Sequence, residues 1–420
     1  MPDLPLITVP LPRGGVGSIE PGVARAKADE VFDDLVRFLS LSSAELERTR
    51  TTYLDRFPEA RAARQASAAR RLLPPIPETE RIEDTLDAAA RLSDDWAQRG
   101  WTDGHPVVVP TVARLQAMLE ACGKQPGEIL GILPPKYGVG SAGVVAANAV
   151  MAGCRPAHMP VLLAAVEALT DPQFLLEGLQ KTTHNASPLV LVNGPIRHAL
   201  GISCGEPGTS WQANAAIGRA IRLVVMNVAD VPARANANTH GWLAKYACCI
   251  GENEEKTPWE PLHVERGFRP EDNTVTLFQA EPPHNIDDQA SASAQGVLTT
   301  IAGTVASVGS EDFINRGEPL LMLGPEHALR ISNGGFSKAD IRAFLFEHAR
   351  VPLGMVAPEY TRIFSDRMKK LYTNVPADYR LPMADRPEDF IVTVVGGLGQ
   401  HSLWIATMGG ARSVTKRIAL

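Results

Sequence analysis

The chain holds only five cysteines in 420 residues (Cys122, Cys154, Cys204, Cys248 and Cys249), and no two of them form a C-x-x-C pair. That excludes a locally built zinc-ribbon knuckle or thioredoxin-like redox pair, and it fits a reducing, cytoplasmic compartment. A basic excess is lacking as well. The 41 Lys and Arg stand against 47 Asp and Glu, for a net charge of −6, which argues against nucleic acid as a partner. The N-terminus, MPDLPLITVPLPRGG, has neither a cationic n-region nor a long apolar core, so no secretory signal is expected. The most apolar stretch, Val139 to Leu169, is broken by Arg155, Pro156, His158 and Pro160. A spanning helix needs about 20 nearly uninterrupted apolar residues, so two buried helices and no membrane partner are expected. No internal repeat or low-complexity tract is evident.

What is present is an ordinary globular composition, 45% hydrophobic and 21% charged, which excludes wholesale disorder. The length calls for more than one packing unit. Residues 22–73 carry apolar residues at helical spacing, with Ser42 and Glu45 as a capping box. The run Pro74-Pro75-Ile76-Pro77 then stops any helix. Residues 1–77 are therefore expected to be a helical extension and linker, acting as a lid or as an arm of a homo-oligomer. Residues 78–420 read as an α/β or α+β domain, a mixed sheet with helical cover and a possible division near 310. Strands are expected at 105–109, 128–133, 188–192, 245–250, 274–280, 319–323 and 390–395. Helices are expected at 81–98, 112–122, 141–153, 160–169, 214–227, 288–309, 325–333, from Ser337, and near 359–372.

Four clusters put polar residues where buried elements end, the usual place for binding groups. The first is Thr182-Thr183-His184-Asn185 with Asn193-Gly194-Pro195, on either side of one strand. Asn193 offers a donor and an acceptor, although the same residues also make an ordinary turn. The second, Gly201-Ile202-Ser203-Cys204-Gly205, matches G-x-S-x-G. It lacks the strand before and helix after that a nucleophile elbow requires. Cys204 stands as an alternative thiolate nucleophile with His184 or His198 as base, against the plainer reading of a buried, inert thiol.

The third cluster is the densest, running from Asn238-Thr239-His240 through Lys245 and Glu252 to Trp259-Glu260-Pro261-Leu262-His263-Val264-Glu265-Arg266. In an extended segment His263 and Glu265 project together. With His284 and Asp287 they compose a His/carboxylate set for a divalent metal. The same groups serve metal-free acid–base chemistry, and a plain salt-bridge network among them is the bland alternative. The fourth, Gly396-Gly397-Leu398-Gly399-Gln400-His401-Ser402, is neither a dinucleotide fingerprint nor a P-loop. It offers a backbone nest and His401 to the same cleft.

Several of these segments, together with Val150 to Pro156, Ala213 to Ala220, Pro258 to Phe268 and Gly324-Pro325-Glu326-His327, resemble a broad bacterial family associated with UGSC-type (seleno)proteins. The likeness spans roughly residues 95–420 and implies a shared scaffold and cleft rather than a reaction. The chain departs from the pattern in having no selenocysteine or C-G-S-C equivalent. It also reads Thr239-His240-Gly241-Trp242-Leu243-Ala244-Lys245 where a Gly-His-x-Gly-Lys-like run is expected.

The resulting expectation is an enzyme, a lyase or hydrolase acting on a small polar or carboxylated molecule. Glu260 or Glu265 would be its base, with His263 and His284 as acids or metal ligands. Asn193, Asn214, Lys245, Glu252 and His401 would hold the substrate, and His184 and Cys204 are further catalytic candidates. The alternatives are Cys204-based thiol chemistry and a non-catalytic binding or assembly subunit of a redox or thiol-dependent system.

Overall fold

The computed structural model describes residues 85–206, 208–230, 248–360, 375–376 and 378–419. The expected helices of residues 22–73, the Pro74–Pro77 linker, Asn238 to Lys245 and most of the 359–372 helix lie outside them.

Helix α1 (Thr85–Gln98) leads to α2 (Val112–Glu120), which starts where Thr111 accepts a hydrogen bond from the Arg114 N–H. Strands β1 (Ile129–Leu133) and β2 (Gly138–Ser141) form an antiparallel pair. Two apolar helices follow, α3 (Ala142–Met151) and α4 (Met159–Leu169). Then come α5 (Leu176–Lys181), β3 (Ser187–Asn193), α6 (Ile196–Leu200), α7 (Gln212–Val228), β4 (Cys249–Gly251) and the single turn α8 (Leu262–Glu265). Strands β5 (Thr274–Ala280) and β6 (His284–Asp287) precede α9 (Ala294–Val305) and α10 (Glu311–Asn315). Strand β7 (Leu320–Leu323) is followed by α11 (Pro325–Asn333) and by α12 (Lys338–His348), which opens on the expected Ser337/Asp340 capping box. Strands β8 (Arg350–Pro352) and β9 (Arg380–Pro382) pair with each other. The described chain closes on β10 (Ile391–Val394), β11 (His401–Ile405) and β12 (Val414–Arg417).

Two four-stranded mixed sheets, ordered β12-β5-β3-β4 and β10-β7-β11-β6, face each other. Strand alternation decides the layers. Leu189, Leu191, Ile250, Phe278, Leu320, Met322, Ile391 and Ile405 point between the sheets, where each fully buried Leu, Ile or Phe contributes about 1.5–3 kcal/mol. The intervening residues Val190, Val192, Val275 and Leu277 point outward under α3, α4 and α7. Leu321, Leu323, Val392 and Val394 do the same under α9, α11 and α12. The architecture is thus a four-layer α/β/β/α sandwich, mixed in its sheets and covered by helices as the alternation of elements predicts. No single described helix is long and apolar enough to cross a membrane.

The two sheets repeat one scheme, which corrects the expectation of no internal repeat. In the first, β3 runs parallel to β4 and antiparallel to β5, and β5 pairs antiparallel with β12. In the second, β7 runs parallel to β10 and antiparallel to β11, and β11 pairs antiparallel with β6. The outermost strands are exchanged: β6 follows β5 in sequence but completes the second sheet, while β12 follows β11 and completes the first. The crossover is fastened by an isolated bridge between Ala280 and Thr407. Gly194-Pro195 with His198-Ala199-Leu200, and Gly324-Pro325 with His327-Ala328-Leu329, one residue shorter, follow β3 and β7 in turn.

Residues 105–109 form no strand. Val107 N bonds to Ser93 Oγ and Val108 N to Met151 O, and Pro106 and Pro110 supply no donors for a ladder.

Candidate functional site

The parallel strands β3 and β4 end side by side, and their last residues carry the inward alternation one step past the apolar layer. Asn193 closes β3, Glu252 follows β4, and both are fully buried. Glu252 Oε2 accepts from Asn193 Nδ2 at 2.6 Å and from Leu262 N at 2.9 Å. Asn193 Nδ2 also donates to Glu254 Oε1 at 2.9 Å, and Gly194 N donates to the same oxygen at 2.8 Å. That close approach needs the positive φ of Gly194 (90°). An added Cβ there would lie 2.4 Å from Asp272 O.

Arg197, on α6 and 1% exposed, carries its guanidinium to Glu254 Oε2 (3.0 Å) and Glu255 Oε1 (3.0 Å) and donates to the Glu252 carbonyl. His263 is buried on α8. Its Nε2 donates to Pro270 O at 3.3 Å, and its Nδ1 lies 4.0 Å from Glu254 Oε1.

Burial pushes the Glu252 carboxyl above its ordinary value, only partly offset by Lys338, the Asn193 amide and the Leu262 N–H. For Glu255 burial acts in the same direction, but hydrogen bonds from Arg197 and His198 outweigh it and hold the carboxyl down at about 2. Three buried atoms of this cluster lack any hydrogen-bond partner: Asn193 Oδ1, Glu252 Oε1 and His263 Nδ1. Thr274 Oγ1, on the residue paired with Asn193 across β3–β5, is a fourth. Most buried polar atoms are paired, so several orphans at one strand end make this a candidate place for a partner.

Beside this cluster a 330 Å³ depression is lined by Arg197, His198, the Gly201–Gly205 loop and Trp211. Its loop is held from behind, since Asn214 accepts from Ser203 N and donates to the carbonyls of Ser203 and Cys249. The Gly396 turn closes the other side: its N–H bonds to Cys204 O, and its carbonyl accepts from Asn253 Nδ2.

The structure reassigns much of the expected site. His184 and Asn193 sit at opposite ends of β3, roughly 20 Å apart. His184 pairs instead with Glu281 (2.9 Å) and Glu311 (3.9 Å), so it is no base for Cys204. His198 does line the depression beside Cys204, but its Nε2 is held by Glu255 at 2.7 Å. Cys204 is half-buried, and burial raises its thiol against the pull of Arg197. Asn214 is fully engaged with backbone and has become a support for the loop rather than a substrate contact. G-x-S-x-G has a helix before it and no strand, so the elbow is absent as expected.

Residues 262–265 are helical rather than extended, because Pro261 takes the N-cap position. Residues two apart on a helix diverge. His263 therefore points to Glu254, while Glu265 turns to Lys338 (3.2 Å) and Arg342. Glu260 is exposed. His284 is exposed on β6, edge-on to Trp404, beyond the end of β5 remote from His263. The metal set His263, Glu265 and His284 is thus not assembled. Among the described residues no group of three or more His, Cys, Asp or Glu side chains is placed to hold a metal ion. His401 opens β11 and faces Asn285 and Asp287, so the glycine turn reaches the site and its histidine does not. Lys245 lies outside the described residues. Of the expected site, Asn193, Glu252 and His263 are brought together, with Cys204 on the far side of Arg197 in the depression.

Sequence reasoning passes over Arg197 and takes Glu254 only as a member of the salt-bridge alternative, to Lys245, Lys256, Arg266 or Arg269. The available signal is spacing: Arg197 lies one helical turn beyond Asn193 at a strand end, and Glu254 two residues beyond Glu252 at another. Comparison with protein-family models, curated proteins and solved structures returned no match.

Proposed function

We propose that the chain is an enzyme acting on a small polar molecule by general acid–base chemistry, as a lyase or hydrolase, with Glu252 as the proton-holding group. The observation that carries this reading is that Asn193 Oδ1, Glu252 Oε1 and His263 Nδ1, on residues linked through Glu252 and Glu254, are all buried and all without a partner. Burial raises the Glu252 carboxyl above its ordinary value, the direction that favours holding a proton for a leaving atom. Glu254 is tied to Arg197 and to two N–H groups, and among Asn193, Glu252, Glu254 and His263 it is the one whose side chain reaches solvent, at 14% exposed. It is placed to receive a proton from substrate or water, so that one carboxyl donates while its neighbour accepts. Asn193 orients both carboxyls and keeps one acceptor for the substrate.

The test is deuterium wash-in. A panel of small amines, amides and hydroxy acids is incubated with the protein in D₂O, and carbon-bound deuterium and new products are followed by NMR. The expected result is wash-in or turnover of at least one compound that falls at least a hundredfold in Glu252→Gln. Turnover indifferent to Glu252→Gln and Glu254→Gln would remove the reading.

A further inference from the structure

We infer that the recognised group of the substrate is an N–H donor, a primary ammonium or a primary amide nitrogen, seated among Asn193, Glu252, Glu254 and His263. This rests on the reading of that cluster as the active site and narrows it to a substrate class. The hydrogen bonds already made decide what is left over. Asn193 spends its Nδ2 hydrogens on Glu252 and Glu254, which leaves Oδ1, a pure acceptor. His263 spends its Nε2 hydrogen on Pro270 O, so in its neutral form the ring presents a lone pair at Nδ1. The 4.0 Å between that Nδ1 and Glu254 Oε1 is too long for a direct hydrogen bond, and one nitrogen with two hydrogens can bridge it.

Charge points the same way. Glu254 and Glu255 share the guanidinium of Arg197, while Lys338 beyond them is engaged by Glu265. A carboxylate ligand would set its lone pairs against those of Asn193 Oδ1, Glu254 Oε1 and the neutral form of His263, whereas an ammonium satisfies these acceptors at once. The carboxylated end expected of the substrate is therefore not the end this cluster reads.

The experiment titrates the full chain with methylammonium chloride and acetamide, against tetramethylammonium chloride and sodium acetate at equal ionic strength, following Tm and the heat of binding. The expected result is a saturable rise in Tm with methylammonium or acetamide and none with tetramethylammonium or acetate. Affinity for methylammonium should fall at least tenfold in Glu254→Gln, a change at the solvent-reaching member of the cluster. An equal response to acetate, or no response to either N–H donor, overturns the inference, and both results are read on the unaltered protein. If deuterium wash-in depends on Glu252 while neither N–H donor binds, this inference alone fails. If an N–H donor binds but no compound exchanges or turns over, the enzymatic reading fails and the cluster is an amine-binding site.

Discussion

The side-chain nitrogen of Asn193 donates to two carboxyls at once, Glu252 at 2.6 Å and Glu254 at 2.9 Å, and so joins the ends of β3 and β4. Leucine at this position keeps the volume and strips both acids of a buried donor. Asn193→Leu should lower stability by about 2–4 kcal/mol, read as a lower urea midpoint at unchanged slope. Asn193→Asp is the sharper variant, because it sets a third carboxyl against two others. Its deficit should be large at pH 7 and shrink as pH falls. Wild-type stability of Asn193→Asp at pH 7 would show that the three groups do not share one buried site.

Burial raises Glu252 above its ordinary value of 4.5, which fixes the sign of its effect on stability. The folded chain keeps this proton where the unfolded chain has lost it. Its contribution is complete below about pH 4.5 and is lost as pH rises through the folded value. Glu252→Gln is neutral in both states and should abolish that decline, so the two stability curves separate progressively above pH 4.5. Parallel curves from pH 4 to 8 would mean that Glu252 is ionised in the folded protein.

The exchange of β6 and β12 makes each sheet depend on the other half of the chain. Residues 1–309 retain β6 without its sheet and lack β12, while residues 310–420 lack β6. Each fragment would expose an unpaired strand edge and the apolar inner face that holds Leu191 or Met322. Expressed alone, both should aggregate. Expressed together, they should copurify as a soluble complex with the circular dichroism of the intact chain. A soluble, cooperatively unfolding 310–420 fragment would contradict this dependence.

The legibility of this molecule in its sequence follows the range of the forces involved. The strand Ser187–Asn193, the Thr111 cap and the Ser337/Asp340 box are local and were readable, because apolar period and capping spacing act over a few residues. The internal repeat was not, since its fourth strands cross between sheets and no contiguous segment carries one whole copy. His263 and Glu265 were separated by a single proline-capped turn that reverses the face argument. His184 and Asn193 are close in sequence, but a strand between them carries each to its own end of the sheet. Glu252 was legible as an acid in a polar run. Its burial was not, because the second sheet and α8 that cover it come from later in the chain.

Cys204 borders the depression with its thiol raised by burial and by Glu255, against the pull of Arg197. A nucleophile of the papain kind needs the opposite balance, a thiolate held down near neutrality by an imidazolium. At pH 7 Cys204 should therefore react with iodoacetamide more slowly than free cysteine, and its rate should climb about tenfold per pH unit up to at least pH 9. Cys248 is pushed up to about 12, and burial raises Cys154 and Cys249 as well, so those three should stay unlabelled under native conditions. Peptide mass spectrometry after timed alkylation at pH 6, 7, 8 and 9 gives the profile for each site. A rate at Cys204 that is already flat between pH 6 and 9 would place the thiolate at rest in the site and return thiol chemistry to the front. A rising profile leaves Glu252 as the proton-holding group beside a thiol that shapes the depression without attacking.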